Sequence, residues 1–177
     1  MSERCPFILL RGHKMRKKIT IIHTTMATVQ TIPPLIHQIF PEAFEIVNVM
    51  DDSLLNEIKD RGVLTKAVTE RFIQYVLTAQ HHGSDAVLVA CSSIGDCATT
   101  ARSILSIPVF KIDEPMAEEA AAKGNKILVL GTVKSTLDPT VRLVKSKLTG
   151  SQSVSERWIE GAFELCAIDK KKHDQMI

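Results

Sequence analysis

The chain of 177 residues carries 22 Lys and Arg against 20 Asp and Glu, a formal charge of +2, and its few aromatic residues are not interleaved with basic ones, so it lacks the signature of a nucleic-acid-binding surface. With 45% hydrophobic and 24% charged residues it has the composition of an ordinary globular protein, long enough for one well-cored domain or two small halves sharing a cleft. The cysteines Cys5, Cys91, Cys97 and Cys166 show neither CxxC nor Cys/His zinc spacing, which argues against a metal site. The apolar piece Pro6–Leu10 is too short for a signal-peptide core or a membrane span, so a reducing cytoplasm is expected and no membrane partner.

In chain order, residues 1–14 read as an N-terminal extension open to disorder, because Met15-Arg-Lys-Lys-Ile-Thr-Ile-Ile is a natural beginning for a domain that opens on a strand. The basic cluster Lys14, Arg16, Lys17 and Lys18 reads as a solvated lead into that strand. Residues 19–23 predict a first strand and 29–40 a helix, with Pro33 and Pro34 near its first turn. Residues 44–49 predict a second strand, and Asp51-Asp52-Ser53 a turn and N-cap. From 65 to 81 the apolar positions Val68, Phe72, Ile73, Val76 and Leu77 fall at helical spacing, with Gly83 as the stop. Residues 86–90 predict a third strand, 96–105 a helix and 107–110 a short fourth strand. A second cycle follows: a helix over 114–123 stopped by Gly124, a buried strand over 126–132, a helix capped by Ser135 and running to about 148, a weak strand over 153–158, and short helices over 160–167 and 170–177. Strands alternating with helices predict an α/β fold built on a parallel sheet in three α/β/α layers.

The stretch Val87-Leu-Val-Ala-Cys-Ser-Ser-Ile-Gly-Asp96 carries the chemistry. A run of aliphatics without alternation is a strand buried on both faces, and Ser-Ser-x-Gly-Asp is a turn opening a helix. Cys91 is thereby placed at the carboxyl end of a central strand, the edge at which open α/β sheets bind ligands, where unpaired backbone N–H groups at a helix N-terminus favour a thiolate. The same pattern of strand, small polar residues and helix recurs at His23-Thr24-Thr25 and Gly131-Thr132. The three strand ends are expected to converge on one side of a parallel sheet, where hydroxyls and amides at helix N-termini form a site for a carboxylate or phosphate, although Ser and Thr at such positions also serve as plain N-caps. By position Cys91 reads equally as a small inert residue ending a strand or as a functional thiol, and a thiolate beside a carboxylate pocket suits removal of the proton α to that carboxylate. His23 reads either as an accessory acid or as a hydrogen-bonded core residue; Cys97 and Cys166 read as packing. No P-loop and no G-x-G-x-x-G follows any strand.

Taken together, "KITIIHTT", "VLVACSSIG", "IPVFKIDEPMAEEA" and "KILVLGTVKSTLDPT" resemble the aspartate/glutamate/hydantoin racemase superfamily, over about residue 18 to the C-terminus. The resemblance implies two similar α/β halves, here 15–110 and 111–177, a cleft between them, homo-oligomers, and no cofactor. It also implies a small carboxylate or amino-acid-like substrate flanked by one cysteine from each half. Cys91 matches the first-half cysteine. Ser92 and Ser93 stand where better characterised racemases have Asn and Thr that donate to the substrate carboxylate, Thr24 and Thr25 match the loop after the first strand, and Gly131 and Thr132 the loop after the first strand of the second half. The family's second cysteine lies in a Gly-Cys-Thr-like turn after a later strand; no such turn precedes Ile177, so an incomplete second half is expected. Three activities follow from the resemblance: a cofactor-independent amino-acid racemase, a one-cysteine decarboxylase of the arylmalonate type, or an inactive carboxylate-binding remnant.

Overall fold

In a computed structural model of the chain, residues 16–177 are described, and the extension expected over 1–14 lies outside them. β1 (Lys17–His23) lies between β2 (Phe44–Met50) and β3 (Ala86–Val89), and β3 pairs on its other side with β4 (Val109–Lys111). All three pairings are parallel, with Ile22 opposite both Val49 and Val89, and Val89 opposite Lys111. β1 is central because its Ile21, Ile22 and His23 are fully buried, on both faces at once.

The periodicity of two divides those faces. On one, Ile22, Val87, Val89 and Val109 meet Leu54 and Ile58 of α2 (Asp52–Arg61), Val68, Phe72 and Val76 of α3 (Lys66–His81), and Cys97, Ala98 and Ala101 of α4 (Gly95–Arg102) in one apolar core. On the other, His23 reaches Thr28 of α1 (Met26–Ile39), which places that helix over the opposite face and makes the assembly three-layered. Capping fixes where the helices begin. The Thr25 hydroxyl accepts from the Thr28 N–H at 3.4 Å, Asp51 from Ser53 N–H at 2.9 Å, and Thr65 from Val68 N–H at 3.1 Å. Gly62, at φ +71°, ends α2 with its N–H on the Ile58 carbonyl.

A second, two-stranded parallel sheet pairs β5 (Lys126–Gly131) with β6 (Ser153–Trp158). Its core is separate: Val129 packs with Ala117 of α5 (Glu114–Lys123) and with Leu137, Val141 and Val144 of α6 (Lys134–Ser146). The chain finishes in α7 (Ala162–Ile168) and α8 (Lys170–Met176).

Several expectations shift. α1 starts three residues early, at its Thr25 cap, so Pro33 and Pro34 fall mid-helix and the carbonyls of Val29 and Gln30 lose their N–H donors. α2, to which the sequence reading gave a cap but no body, runs a full ten residues. The helix after β3 is split into a 3-10 turn over Ser92–Ile94 and α4, and α4 stops at Arg102, where the Ser103 hydroxyl turns back to the Thr100 carbonyl. β4 begins after Pro108, which has no N–H for the ladder. The N-cap of α6 is Val133 and not Ser135.

Candidate active site

Thr24 and Cys91 lie at adjacent strand ends, since the ladder continues past β3 with the Ala90 N–H on the Ile22 carbonyl at 2.9 Å. Cys91 keeps an extended backbone (φ −151°, ψ 120°) and is the residue from which the 3-10 turn departs. Its side chain is half-buried and packs against the first core, and no side-chain cap is made by its sulfur. Thr24 is 2% exposed. Thr25 performs the ordinary task of an N-cap, its hydroxyl committed to Thr28.

Ser93, 5% exposed, places its Oγ 3.0 Å from Ser135 Oγ, bridging the turn after β3 to the first turn of α6; Ser92 beside it is half-buried. Gly131 ends β5 so close to α6 that a Cβ there would lie 2.7 Å from Leu137 Cδ2. This requires correction of one expectation: the three strand ends do not share one sheet, because β5 belongs to the second. Thr132 reaches the first half through a cleft of about 770 Å³, lined among others by Ser93, Asp96, Thr132, Ser135, Arg142 and Trp158. Cys91, Ser92, Thr24, Thr25 and Gly131 do not line that cleft. The strand-end edge with Cys91 and this cleft are neighbours that meet at Ser93.

The other candidates fall into place. His23 is fully buried with both ring nitrogens engaged, Nδ1 2.9 Å from Thr28 Oγ1 and Nε2 3.0 Å from Asn48 Oδ1. Burial lowers its pKa against the opposing effect of the Asn48 hydrogen bond, so it is a neutral core residue on the face away from Cys91. Burial pushes the Cys97 thiol up, and its Sγ lies 3.7 Å from Thr69 Oγ1. Cys166 is exposed on α7. Among the described residues no group of three or more His, Cys, Asp or Glu could hold a metal ion, and no helix is long and apolar enough to cross a membrane.

Two residues at this edge escaped the sequence reading. Ser135, expected as a cap, turns its hydroxyl to Ser93 instead. Lys111 stands one alternation after Val109, which points it to the core side, and it is only 9% exposed. A charge interrupting the apolar run Ile107-Pro-Val-Phe-Lys-Ile was the signal available for it.

The family model for Asp/Glu/Hydantoin racemase matches residues 19–176. The chain belongs to the Asp/Glu/hydantoin racemase family. Its fold is that of solved racemases. Glutamate racemase from Aquifex pyrophilus aligns over 88% of this chain and 62% of its own at a TM-score of 0.62 and 20% identity. Glutamate racemase from Campylobacter jejuni subsp. jejuni aligns over 85% and 60%, at 0.53 and 15%. A doubly substituted arylmalonate decarboxylase in liganded form aligns over 90% and 70%, at 0.53 and 13%. The chain thus spans 62% and 60% of the two glutamate racemases. No curated protein matches the sequence.

Proposed function

We propose that this family member is a racemase-like isomerase in which Cys91 exchanges the proton on the α-carbon of a small carboxylate of the aspartate, glutamate or hydantoin type. The observation that carries the reading is the position of a half-buried thiol at the carboxyl end of β3, beside the buried Thr24 and immediately before a 3-10 turn with serine hydroxyls. The thiolate takes the α-proton and becomes a thiol; the electron pair left on carbon spreads into the carboxylate as an enolate. Donors are needed there, and Thr24, Thr25, Ser92, Ser93 and Thr132 with the backbone at Gly131 are the groups proposed to supply them. Return of the proton from sulfur completes the exchange without a cofactor. Location in a reducing cytoplasm and assembly into homo-oligomers belong to the same proposal.

A second reading is favoured because, among the described residues, Cys91 is the one thiol at this edge: Cys97 is sealed in the core and Cys166 is exposed on α7, so protonation from one face is the simpler chemistry. That is the requirement of a decarboxylase of the arylmalonate type, where loss of carbon dioxide generates the enolate and Cys91 delivers one proton. A carboxylate-binding protein without turnover is the outcome if neither reaction is found.

The deciding experiment is α-proton exchange in deuterated water, followed by NMR with aspartate, glutamate and hydantoins, comparing the protein with Cys91→Ser. Exchange that disappears in the variant supports the isomerase reading, and the chirality of the deuterated product separates one-face from two-face protonation. Decarboxylation of an arylmalonate without exchange supports the second reading. A folded protein that does neither removes catalysis from both.

A further inference from the structure

The "IPVFKIDEPMAEEA" segment carries part of the family resemblance, yet it supplies no residue to the chemistry just proposed. Lys111 is its most unusual member. The residue is 91% buried by the complement of its 9% exposure, and among the described residues its ammonium has no hydrogen-bond acceptor and no carboxylate within ion-pair distance. Its Nζ is not sealed, since the buried side-chain atoms without a partner are Arg71 Nε and Asp113 Oδ1, so the enclosed ammonium keeps an opening through which an anion can reach it.

The surroundings add to the positive field. A Cβ placed on Gly95 would lie 3.6 Å from Lys111 Cδ and 3.8 Å from Nζ, so the side chain runs along the first residue of α4. Ile94, the N-cap of that helix, makes no side-chain cap, and the Gly95 N–H is taken by the Ser92 carbonyl, so the helix contributes its dipole at this end. Of the nearby carboxylates, Asp96 is 2.6 Å from Arg142, and Glu114, held low by Arg102 and to a smaller degree by Lys111, binds Arg102 through both oxygens at 2.8 and 2.6 Å. Asp113 keeps a buried Oδ1 with no partner of its own. Cys97, the remaining titratable group on α4, has its thiol pushed up by burial.

The register fixes where this field points. Lys111 is opposite Val89 in the β3–β4 ladder, and Cys91 follows Val89 by two residues, so both side chains leave the same face of the sheet one pair apart. We infer that Lys111 is the cation that holds the carboxylate of the small acid bound beside Cys91, with the N-terminus of α4 as its backbone complement. The inference rests on the proposed placement of a carboxylate substrate at this strand end, and adds a charged, specificity-determining residue to a site otherwise made of hydroxyls.

The test is isothermal titration calorimetry with malonate and with D- and L-glutamate, at low and raised ionic strength, on the full chain, Lys111→Met and Lys111→Arg. Methionine keeps the apolar stem and removes the charge; the expected result is a loss of affinity of about tenfold or more, largely restored by arginine. Equal affinity in Lys111→Met overturns the inference, whether or not its melting temperature falls, as does a wild type that binds none of the three acids. Should Lys111→Met not fold, the Lys111 ¹³Cε resonance of the wild type decides: a shift on adding malonate is expected, and an unmoved resonance overturns the assignment. Binding that depends on Lys111 without α-proton exchange would sink the isomerase reading and leave this one standing.

Discussion

Ser93 Oγ and Ser135 Oγ lie 3.0 Å apart, and that contact joins the turn after the third strand of one sheet to the helix that follows the first strand of the other. Arg142 of α6 makes a second link at Asp96, but both partners are about half exposed, so solvent screens it. The part-buried hydroxyl pair is less screened and is therefore the stronger tie. Replacing both serines by alanine in a double-mutant cycle is expected to give a coupling of about 0.5–1.5 kcal/mol in urea unfolding, and additive losses would show that the two hydroxyls act separately.

Thiol labelling should separate the cysteines by accessibility. In a Cys5→Ser, Cys166→Ser background, iodoacetamide is expected to modify Cys91 while Cys97, fully buried with its thiol pushed up, stays unlabelled until the protein unfolds. Mass spectrometry of the labelled peptide reads the outcome. Equal rates at the two positions would count against an accessible thiol at the strand end.

His23 makes stability depend on pH in a defined direction. In the unfolded chain a histidine titrates near its ordinary value of 6.5, whereas burial holds the folded pKa lower. As pH falls below that value the unfolded state takes up a proton that the native state refuses, so this stability is complete above about pH 6.5 and is lost as pH falls through the folded pKa. The melting temperature should drop between about pH 7.5 and 5.5, and the drop should shrink in His23→Gln. Glu114, held low by Arg102, and Asp85, held low by Lys17, act only in the more acidic carboxylate range. A wild-type melting temperature flat across the histidine window would contradict the burial of a neutral ring.

Close approach of β5 to α6 predicts the effect of Gly131→Ala. The added methyl would sit 2.7 Å from Leu137 Cδ2 and 3.0 Å from its Cγ, and Leu137 is itself in the second core. A loss of about 1–3 kcal/mol is expected from the forced repacking. In the first core, Phe72→Ala should cost about 3–5 kcal/mol, because Phe72 is fully buried in the main cluster. If the Gly131 variant proves as stable as wild type in chemical denaturation, the Leu137 side chain yields freely and the β5–α6 junction is looser than its geometry.

From the sequence alone came the strands, the helices other than α2, and the expectation that Cys91 stands at a strand end. These depend on local physics: unbroken aliphatic runs make two-sided strands, a three- and four-residue apolar spacing makes α3, and Gly83, at a left-handed φ, follows its end. Boundaries set by single hydrogen bonds, such as the Thr25 cap that draws the start of α1 ahead of its prolines, were legible only in part. Three things belonged to the tertiary structure. The division into two sheets depends on which strands find each other, and β5 pairs with β6 because α5 and α6 give them a core of their own. His23 could be read as an acid until packing against Asn48 and Thr28 made it a neutral core group. Ser135 and Lys111 lie 44 and 20 residues from Cys91 along the chain, and only the parallel register and the docking of α6 bring one to Ser93 and the other to the same face as Cys91. Contacts across such separations are set by the burial of apolar faces, which sequence periodicity reports one element at a time and never pairwise.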